Sequence, residues 1–202
     1  MSTDAISAYE KHAQNFLQCR DNSSVGVQVA HQWARTLWTG AKVVEIACGG
    51  GFPVTRTLID AGLRLWVIDS SPTLIAAFKD RFPGIPAQCA TVQESDFFKR
   101  KFDAAISIGL IFLLNETDQI KMFDRVSKIL HPGASFLFTA PIEKGTWIDV
   151  NTGHSCISLG LDVYESALEK SGFRVVGRYE DSGKNNYYEA EKFAYSRTSN
   201  AT

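Results

Sequence analysis

The chain has 202 residues, of which 45% are apolar and 21% are charged. This balance predicts one globular domain with a full hydrophobic core, and it excludes disordered, collagen-like and coiled-coil chains. Lysine and arginine total 21 against 22 aspartates and glutamates, a net charge of −1. We therefore expect no nucleic-acid partner, because such proteins usually carry a basic surplus.

The sequence also lacks the features of a membrane or exported protein. The longest apolar run, residues 104–114, is about half of the roughly 20 residues that a spanning helix needs. The first residues show no basic region followed by an apolar stretch, which a secretory signal would have. The four cysteines are far apart and form no C-x-x-C pair: Cys19, Cys48, Cys89 and Cys156. We expect free thiols, no metal site and a cytoplasmic location.

Short apolar runs that mostly alternate with amphipathic segments define the predicted elements. The strands are residues 42–47, 63–68, 87–90, 102–108, 134–139, 173–179 and 187–194. The helices are residues 52–59, a segment from Ser71-Pro72 to Pro83-Gly84, and residues 118–130 and 162–171. In the 118–130 helix, the spacing places Ile120, Phe123, Val126 and Ile129 on one face. The residues around Trp147 are predicted to be a loop.

This order predicts a Rossmann-like, doubly wound α/β fold. The sheet has seven mostly parallel strands and ends in an antiparallel hairpin, formed by residues 173–179 and 187–194. The whole chain, 1–202, is then one domain with a core over residues 41–202. Residues 1–40 are predicted to form a helical cap, with Tyr9, Phe16 and Leu17 on one helix and Val29, Trp33 and Leu37 on another.

A glycine cluster, Glu45-Ile46-Ala47-Cys48-Gly49-Gly50-Gly51, follows the first predicted strand. In α/β folds this position binds ligands, since glycine lets a ligand approach the backbone closely. The dinucleotide pattern needs a third glycine where Val54 stands, and the Walker pattern needs Gly-Lys-Ser/Thr where Phe52-Pro53 stands. Glu45 would repel a pyrophosphate, whereas a carboxylate suits a ligand with an ammonium group.

Five segments together resemble the class I S-adenosylmethionine-dependent methyltransferases. Residues 44–51 resemble motif I of that family, and Asp69 resembles its ribose-binding acid. Residues 91–93 stand where the family contacts adenine, residues 102–107 resemble its fourth-strand motif, and residues 130–134 resemble its "L-x-P-G-G" turn. The resemblance covers roughly residues 38–141. It implies a methyltransferase with S-adenosylmethionine as its cofactor.

The resemblance implies particular cofactor contacts. The glycine loop would line the methionine part beside Glu45, Asp69 would accept hydrogen bonds from both ribose hydroxyls, and Ile68, Leu74, Val92 and Leu110 would enclose the adenine. The predicted cofactor-binding residues are Glu45, Ala47, Cys48, Gly49, Gly51, Asp69, Ser70, Leu74, Thr91, Val92, Gln93, Ile108 and Arg20.

Two residues depart from the family pattern. Ala47 replaces the first glycine of motif I, so its methyl group must be tolerated beside the cofactor. Thr91 stands where an acid is common, so the adenine amino group is left to Thr91, to Gln93 or to the Val92 backbone. Arg20 is a candidate to hold a carboxylate, of the cofactor or of the acceptor.

The acceptor side is less defined. A sulfonium is already an activated methyl donor, so proximity can supply much of the acceleration and a catalytic side chain is not obligatory. If a general base acts, the candidates are His12, His154 and Tyr9. The substrate-contact candidates are Tyr9, Phe112, Trp147 and His154. For each of these, packing or a surface position is the ordinary alternative.

The acceptor class is narrowed by the segment 108–114. It departs from the Asn/Asp-Pro-Pro-Tyr/Phe motif that nucleic-acid amino-methylating enzymes carry there, and its apolar side chains favour a small, partly apolar acceptor. Transfer to oxygen, nitrogen or sulfur stays open, as does a monomer or a homodimer. Two alternatives remain: a non-catalytic S-adenosylmethionine-binding sensor or partner subunit, and an oxidoreductase, which the missing third glycine disfavours.

Overall fold

Seven strands form the central sheet of the computed structural model, which describes residues 9–149 and 152–193. Their order is β3-β2-β1-β4-β5-β9-β8; the first five are parallel, and β9 pairs antiparallel with both β5 and β8. The strands are β1 (Lys42–Ile46), β2 (Arg64–Asp69), β3 (Ala87–Cys89), β4 (Phe102–Ser107), β5 (Leu130–Thr139), β8 (Phe173–Glu180) and β9 (Asn186–Lys192). The predicted sheet, including its terminal hairpin, is confirmed; the predicted end of the last strand, Ala194, lies outside the described residues.

Helices cover both faces of the sheet. They are α1 (Ala13–Asp21), α2 (Val27–Ala34), α3 (Val54–Asp60), α4 (Pro72–Arg81), α5 (Glu116–Ile129) and α6 (Leu161–Lys170). Trp33 and Leu58 belong to a buried cluster on one face, and Phe123 and Leu168 belong to the cluster on the other. Among the described residues, none of the helices has the length and apolarity to cross a bilayer.

The first strand shows why the parallel region is so apolar. Val43, Val44 and Ile46 are at most 1% exposed, because β1 lies between β2 and β4 and is covered by helices on both faces. A strand in that position has no solvent side, so it reads as a continuous apolar run instead of an alternating one. Glu45 interrupts this run, and its burial therefore needs a separate explanation.

Side-chain caps fix where two helices begin. Ser71 precedes α4, and its hydroxyl accepts a hydrogen bond from the Leu74 N–H at 3.1 Å, with Pro72 in the first turn. Asn115 precedes α5 and accepts from the Asp118 N–H at 2.9 Å. The second cap explains why α5 starts two residues before its predicted start at Asp118.

The buried face of α5 differs from the predicted one. Ile120 was placed with Phe123 and Val126 but is 45% exposed. Gln119 lies in the core instead, because its amide donates to the carbonyls of Leu114 and Ile157, each at 2.9 Å. A polar residue with buried partners thus occupies the core-facing position, and Ile120, one step further along the helix, turns to solvent.

The predicted loop around Trp147 is also wrong. It contains a strand, β6 (Gly145–Ile148), which pairs antiparallel with β7 (Ser155–Ser158) in a separate two-stranded sheet. Trp147 stands opposite Cys156 in the register. All four β6 residues are exposed, so the strand lacks the apolar alternation by which a half-buried strand is recognised.

Tyr164 of α6 closes a buried hydrogen-bond network with Gln119. Its hydroxyl donates to Gln119 Oε1 at 2.9 Å and accepts from the Leu159 N–H at 3.0 Å. The Tyr164 side chain has no solvent exposure, so water cannot replace either partner. The network joins α5, α6 and the end of the β6–β7 hairpin.

We predict that Tyr164→Phe lowers the free energy of unfolding by about 1–3 kcal/mol, since it leaves buried polar groups unpaired. Denaturant unfolding measures the change. Tyr179→Phe is the matched control, because Tyr179 is 41% exposed and also donates a single hydrogen bond, to Glu189. Equal effects of the two substitutions would contradict the importance of the buried network.

Candidate functional site

A cavity of about 290 Å³ opens where β1, β2 and β4 end. This edge of a parallel α/β sheet is the usual ligand position of the architecture. Of the residues predicted to bind the cofactor, the substrate or the adenine ring, thirteen line the cavity: Tyr9, Arg20, Glu45, Ala47, Cys48, Gly49, Asp69, Ser70, Leu74, Ile108, Leu110, Phe112 and Trp147. Seven others do not line it: His12, Gly51, Ile68, Thr91, Val92, Gln93 and His154.

The loop after β1 turns sharply through left-handed backbone conformations. Ala47 has φ 62°, and Gly49 and Gly51 have φ 58° and 91°. The Ala47 and Cys48 N–H groups both donate to the Ile68 carbonyl, at 2.8 and 3.2 Å. A non-glycine residue in this region costs roughly 1–2 kcal/mol, so Ala47 holds a strained backbone at the cavity wall.

The glycines are also needed for packing. A methyl group on Gly49 would lie 2.9 Å from Phe16 Cε1, and one on Gly50 would overlap Leu17. Gly51 faces Phe82 in the same way, which explains why it does not line the cavity. Helix α1 therefore rests directly on the glycine loop.

Further contacts fix this N-terminal segment over the site. The hydroxyls of Ser71 and Thr73, at the start of α4, both donate to the Glu10 carboxylate. At the other end of the segment, Arg81 donates to both Asp21 carboxylate oxygens, at 2.6 and 2.8 Å. Residues 10–21 thus bridge the rim of the cavity.

Asp69 is the last residue of β2 and organises the turn into α4. Its carboxylate accepts from the Gly49 N–H at 2.8 Å and from the Ser71 N–H at 2.9 Å. Burial raises the Asp69 pKa, and these backbone hydrogen bonds oppose that rise. The side chain therefore ties the glycine loop to the next strand.

Glu45 is buried beneath the loop, where it is 4% exposed. The Thr55 hydroxyl donates to Glu45 Oε2 at 2.6 Å. Burial raises the Glu45 pKa to about 8; the Thr55 hydrogen bond and the nearby Arg20 charge oppose the rise, while Asp69 adds to it. Near neutral pH this carboxyl is close to its midpoint, so a cation placed beside it would favour the charged form.

Arg20 projects from α1 into the same cavity. Burial lowers its pKa, and the neighbouring Tyr187, Glu45 and Asp181 oppose that effect. Its guanidinium makes a long hydrogen bond, 3.5 Å, to the Val25 carbonyl. A guanidinium with loosely engaged donors is suited to a carboxylate ligand.

The segment predicted to contact adenine lies beside the cavity. The Thr91 hydroxyl donates to Glu94 Oε2 at 2.9 Å, and Arg125 Nε donates to the Val92 carbonyl at 2.7 Å. Both atoms of the Gln93 amide are buried without a hydrogen-bond partner among the described residues. Buried amides are normally paired, so Gln93 is the member of this segment with capacity for a ligand.

Three of the acceptor candidates, Tyr9, Phe112 and Trp147, line another part of the cavity. Phe112 and Trp147 have ring centroids 5.5 Å apart, and the Tyr9 hydroxyl donates to Asp149 Oδ2 at 3.4 Å. Burial raises the Tyr9 pKa, and Asp149 raises it further. This wall combines aromatic surface with a carboxylate.

The two histidine candidates stand apart from this wall. His154 contributes its backbone carbonyl, which accepts from the Asp149 N–H at 2.8 Å. His12 lines a neighbouring cavity of about 340 Å³, which shares Tyr9, Phe16 and Arg20 with the first. The described structure thus places neither imidazole at the principal cavity.

The cavity also contains residues that were not predicted as cofactor or substrate contacts: Phe16, Val25, Phe52, Val54, Gly109, Leu113, Thr139, Asp149, Cys156 and Asn185. Phe16 was expected on a helix, and Asn185 in the turn before β9, but neither position indicates which way a side chain faces. Asp149 follows a strand that the sequence did not reveal. Among the described residues, no group of three or more histidine, cysteine, aspartate and glutamate side chains could hold a metal ion.

The known proteins that this chain resembles are methyltransferases. Residues 43–133 match the family model described as "Methyltransferase domain". No curated protein sequence matches the chain. A 1,6-didemethyltoxoflavin N1-methyltransferase from Burkholderia thailandensis, solved with its named substrate and S-adenosylhomocysteine, is 15% identical; the match covers 96% of this chain and 89% of that one, with a TM-score of 0.78.

Two further structures have the same fold. The magnesium protoporphyrin IX methyltransferase of Synechocystis, solved with S-adenosylmethionine, is 13% identical over 82% of this chain and 77% of its own, with a TM-score of 0.67. A glycopeptide N-methyltransferase, also with S-adenosylmethionine, is 20% identical over 84% and 95%, with a TM-score of 0.67. At these identities the likeness shows the fold and leaves the acceptor undefined.

We predict that Glu45 makes the free energy of unfolding fall as pH rises. Because the folded state binds the Glu45 proton more tightly than the unfolded chain, its contribution is most favourable below pH about 4.5. This contribution of Glu45 to the free energy of unfolding is lost as pH rises to about 8. Glu45→Gln cannot ionise, so its stability relative to wild type should rise over this range by up to about 4 kcal/mol. Denaturant unfolding at several pH values measures the difference.

Glu169→Gln, at an exposed position on α6, is the control. Its curve should stay parallel to that of the wild type. A parallel curve for Glu45→Gln would mean that Glu45 titrates normally in the folded protein.

Proposed function

We propose that this class I S-adenosylmethionine-dependent methyltransferase transfers its methyl group to a small-molecule acceptor at oxygen, nitrogen or sulfur. The observation that carries the proposal is one cavity that contains Glu45, the strained glycine loop and Asp69. These groups differ in charge and geometry, and they match the different parts of a single ligand.

The residues present fit the cofactor. Asp69 would hold the ribose, because a carboxylate accepts hydrogen bonds from two adjacent hydroxyls. Its present donors, the Gly49 and Ser71 N–H groups, keep it oriented toward the loop. Leu74 and Leu110, which line the cavity, would contact the faces of the adenine ring.

The charged groups fit the amino-acid end of the cofactor. Glu45 would attract its ammonium group, and Arg20 would bind its carboxylate. Both side chains line the cavity and lie close enough for their charges to interact. A zwitterionic ligand placed there would supply each buried side chain with an opposite charge.

The bound cofactor supplies an electrophilic methyl group on a sulfonium. The protein would contribute alignment of donor and acceptor and exclusion of water. Phe16 and Leu17, which pack on the glycine loop, would shield the reacting centre from one side. Tyr9, Phe112 and Trp147 would then bound the acceptor.

A small molecule is supported by the size and lining of the cavity. The names of the structural neighbours give 1,6-didemethyltoxoflavin, magnesium protoporphyrin IX and a glycopeptide as their substrates, and two of these proteins are named N-methyltransferases. The second candidate function is a non-catalytic S-adenosylmethionine-binding sensor or partner subunit. A protein that binds the cofactor at this loop but binds no acceptor would serve as such a sensor or subunit.

Calorimetric titration with S-adenosylhomocysteine and with NAD tests the cofactor. We expect binding of the first and none of the second, and no heat with S-adenosylhomocysteine would contradict the proposal. Turnover of S-adenosylmethionine with a panel of amines, phenols and thiols then separates an enzyme from a sensor, which would bind but release no S-adenosylhomocysteine with any acceptor.

We predict that Asp69→Asn weakens S-adenosylhomocysteine binding by about 1.5–3 kcal/mol, the range for hydrogen bonds to a charged group. Asn cannot accept from both ribose hydroxyls as a carboxylate does. Asp80→Asn, at an exposed position on α4, is the control and should bind as the wild type does. Unchanged affinity in a folded Asp69→Asn variant would show that the ribose binds elsewhere.

A further inference from the structure

Part of the cavity wall combines aromatic rings with one carboxylate. Phe112 and Trp147 lie with centroids 5.5 Å apart and ring planes inclined by 49°. Asp149 follows directly after β6, and its carboxylate accepts from the hydroxyls of Tyr9 and Thr152 at 3.4 and 2.5 Å. These hydrogen bonds fix the carboxylate between two elements, at the cavity surface.

The charged side chains that line the cavity differ in the ligand that they would contact. Among the described residues that line it, the charged side chains are Arg20, Glu45, Asp69 and Asp149. Under the proposed function the first three serve the cofactor. Asp149 is the charged lining residue that has no role in this cofactor scheme.

We propose that the acceptor is an amine, and that Asp149 and the Phe112–Trp147 pair bind its nitrogen. This inference rests on the proposed function and specifies its substrate class. Aromatic faces attract a cation through the ring quadrupole, and a carboxylate forms strong hydrogen bonds with N–H donors. Trp147 is 37% exposed, so a bound amine would cover surface that is now open to water.

The same groups favour the reaction of an amine. An amine that binds as its ammonium ion first loses one proton to water. The neutral nitrogen then uses its lone pair to form the new N–C bond, while the electron pair of the C–S bond stays on sulfur. Positive charge therefore disappears from sulfur and develops on nitrogen. Asp149 and the two rings stabilise that developing charge, and this stabilisation is larger in the transition state than in the ground state. The product leaves as an ammonium ion or loses its extra proton to water.

A phenol or thiol acceptor fits less well. Each of these loses a proton to become a good nucleophile and is then an anion, which Asp149 would repel. An ammonium ion that loses a proton becomes a neutral amine, which Asp149 does not repel. No imidazole of the described residues lines the cavity to remove that proton. His12 and His154, the expected bases, lie at the neighbouring cavity and in the β6–β7 connection.

The test measures ligand binding instead of turnover. Wild-type protein saturated with S-adenosylhomocysteine is titrated with phenethylamine and tryptamine at pH 7, and with their alcohols, 2-phenylethanol and tryptophol. We expect each amine, bound as its ammonium ion, to bind at least tenfold more tightly than its alcohol. An amine that binds no better than its alcohol, or gives no heat at millimolar concentration, overturns the inference.

Variants assign the preference to this wall. Asp149→Asn keeps the shape of the side chain and should lose most of the amine preference, while its affinity for S-adenosylhomocysteine stays unchanged. Trp147→Leu should weaken amine binding several-fold. Asp80→Asn also removes one negative charge, far from the cavity lining, and should leave the preference intact.

The two levels of proposal fail separately. If S-adenosylhomocysteine does not bind, the proposed function is wrong. If it binds and the amines show no advantage, or if Asp149→Asn keeps the full advantage in a folded protein, only the amine assignment is wrong. The wild-type comparison stands even if the variants fold poorly.

Discussion

The burial of two carboxylates at the carboxyl edge of the sheet is the constraint on which the site depends. Asp69 is the last residue of β2, and Glu45 is the last but one of the adjacent parallel strand β1. Water is largely excluded there, and an unpaired charge is costly. Asp69 is sustained by backbone N–H groups of the loop and of the α4 turn. Glu45 relies on a single hydroxyl and a nearby guanidinium, so it is the less satisfied of the two.

The conformation of the glycine loop follows from this constraint. For its N–H to reach Asp69, Gly49 must adopt a left-handed conformation, and Phe16 then occupies the space that a side chain would need. Ala47 accepts a positive φ in the same turn. Ligand recognition and packing of α1 therefore use the same small residues, and neither requirement can be separated from the other at these positions.

The sequence predicted the sheet well because β1 and β4 are mostly apolar, and because Ser71, Pro72 and the glycines mark the element boundaries. It predicted the glycine loop and Asp69 at the cavity for the same reason. It failed for β6, which has no buried face to impose alternation, and for Ile120, which Gln119 displaces from the core through hydrogen bonds that no periodicity reveals. The orientation of Asp149 and Asn185 depends on turns, where side-chain direction is set by tertiary contacts.

The contact between Glu10 and the first turn of α4 has a kinetic consequence. The hydroxyls of Ser71 and Thr73 donate to the Glu10 carboxylate, and the Ser71 N–H donates to Asp69. The segment 10–21, which bridges the rim of the cavity, is therefore attached next to the carboxylate that would bind the ribose. A ligand that dissociates from Asp69 must pass beneath the segment 10–21. The residence time of the ligand would then depend on how often the segment 10–21 opens, as well as on affinity. Variants that weaken the Glu10 contact should shorten this residence time even where the equilibrium occupancy of the site changes little.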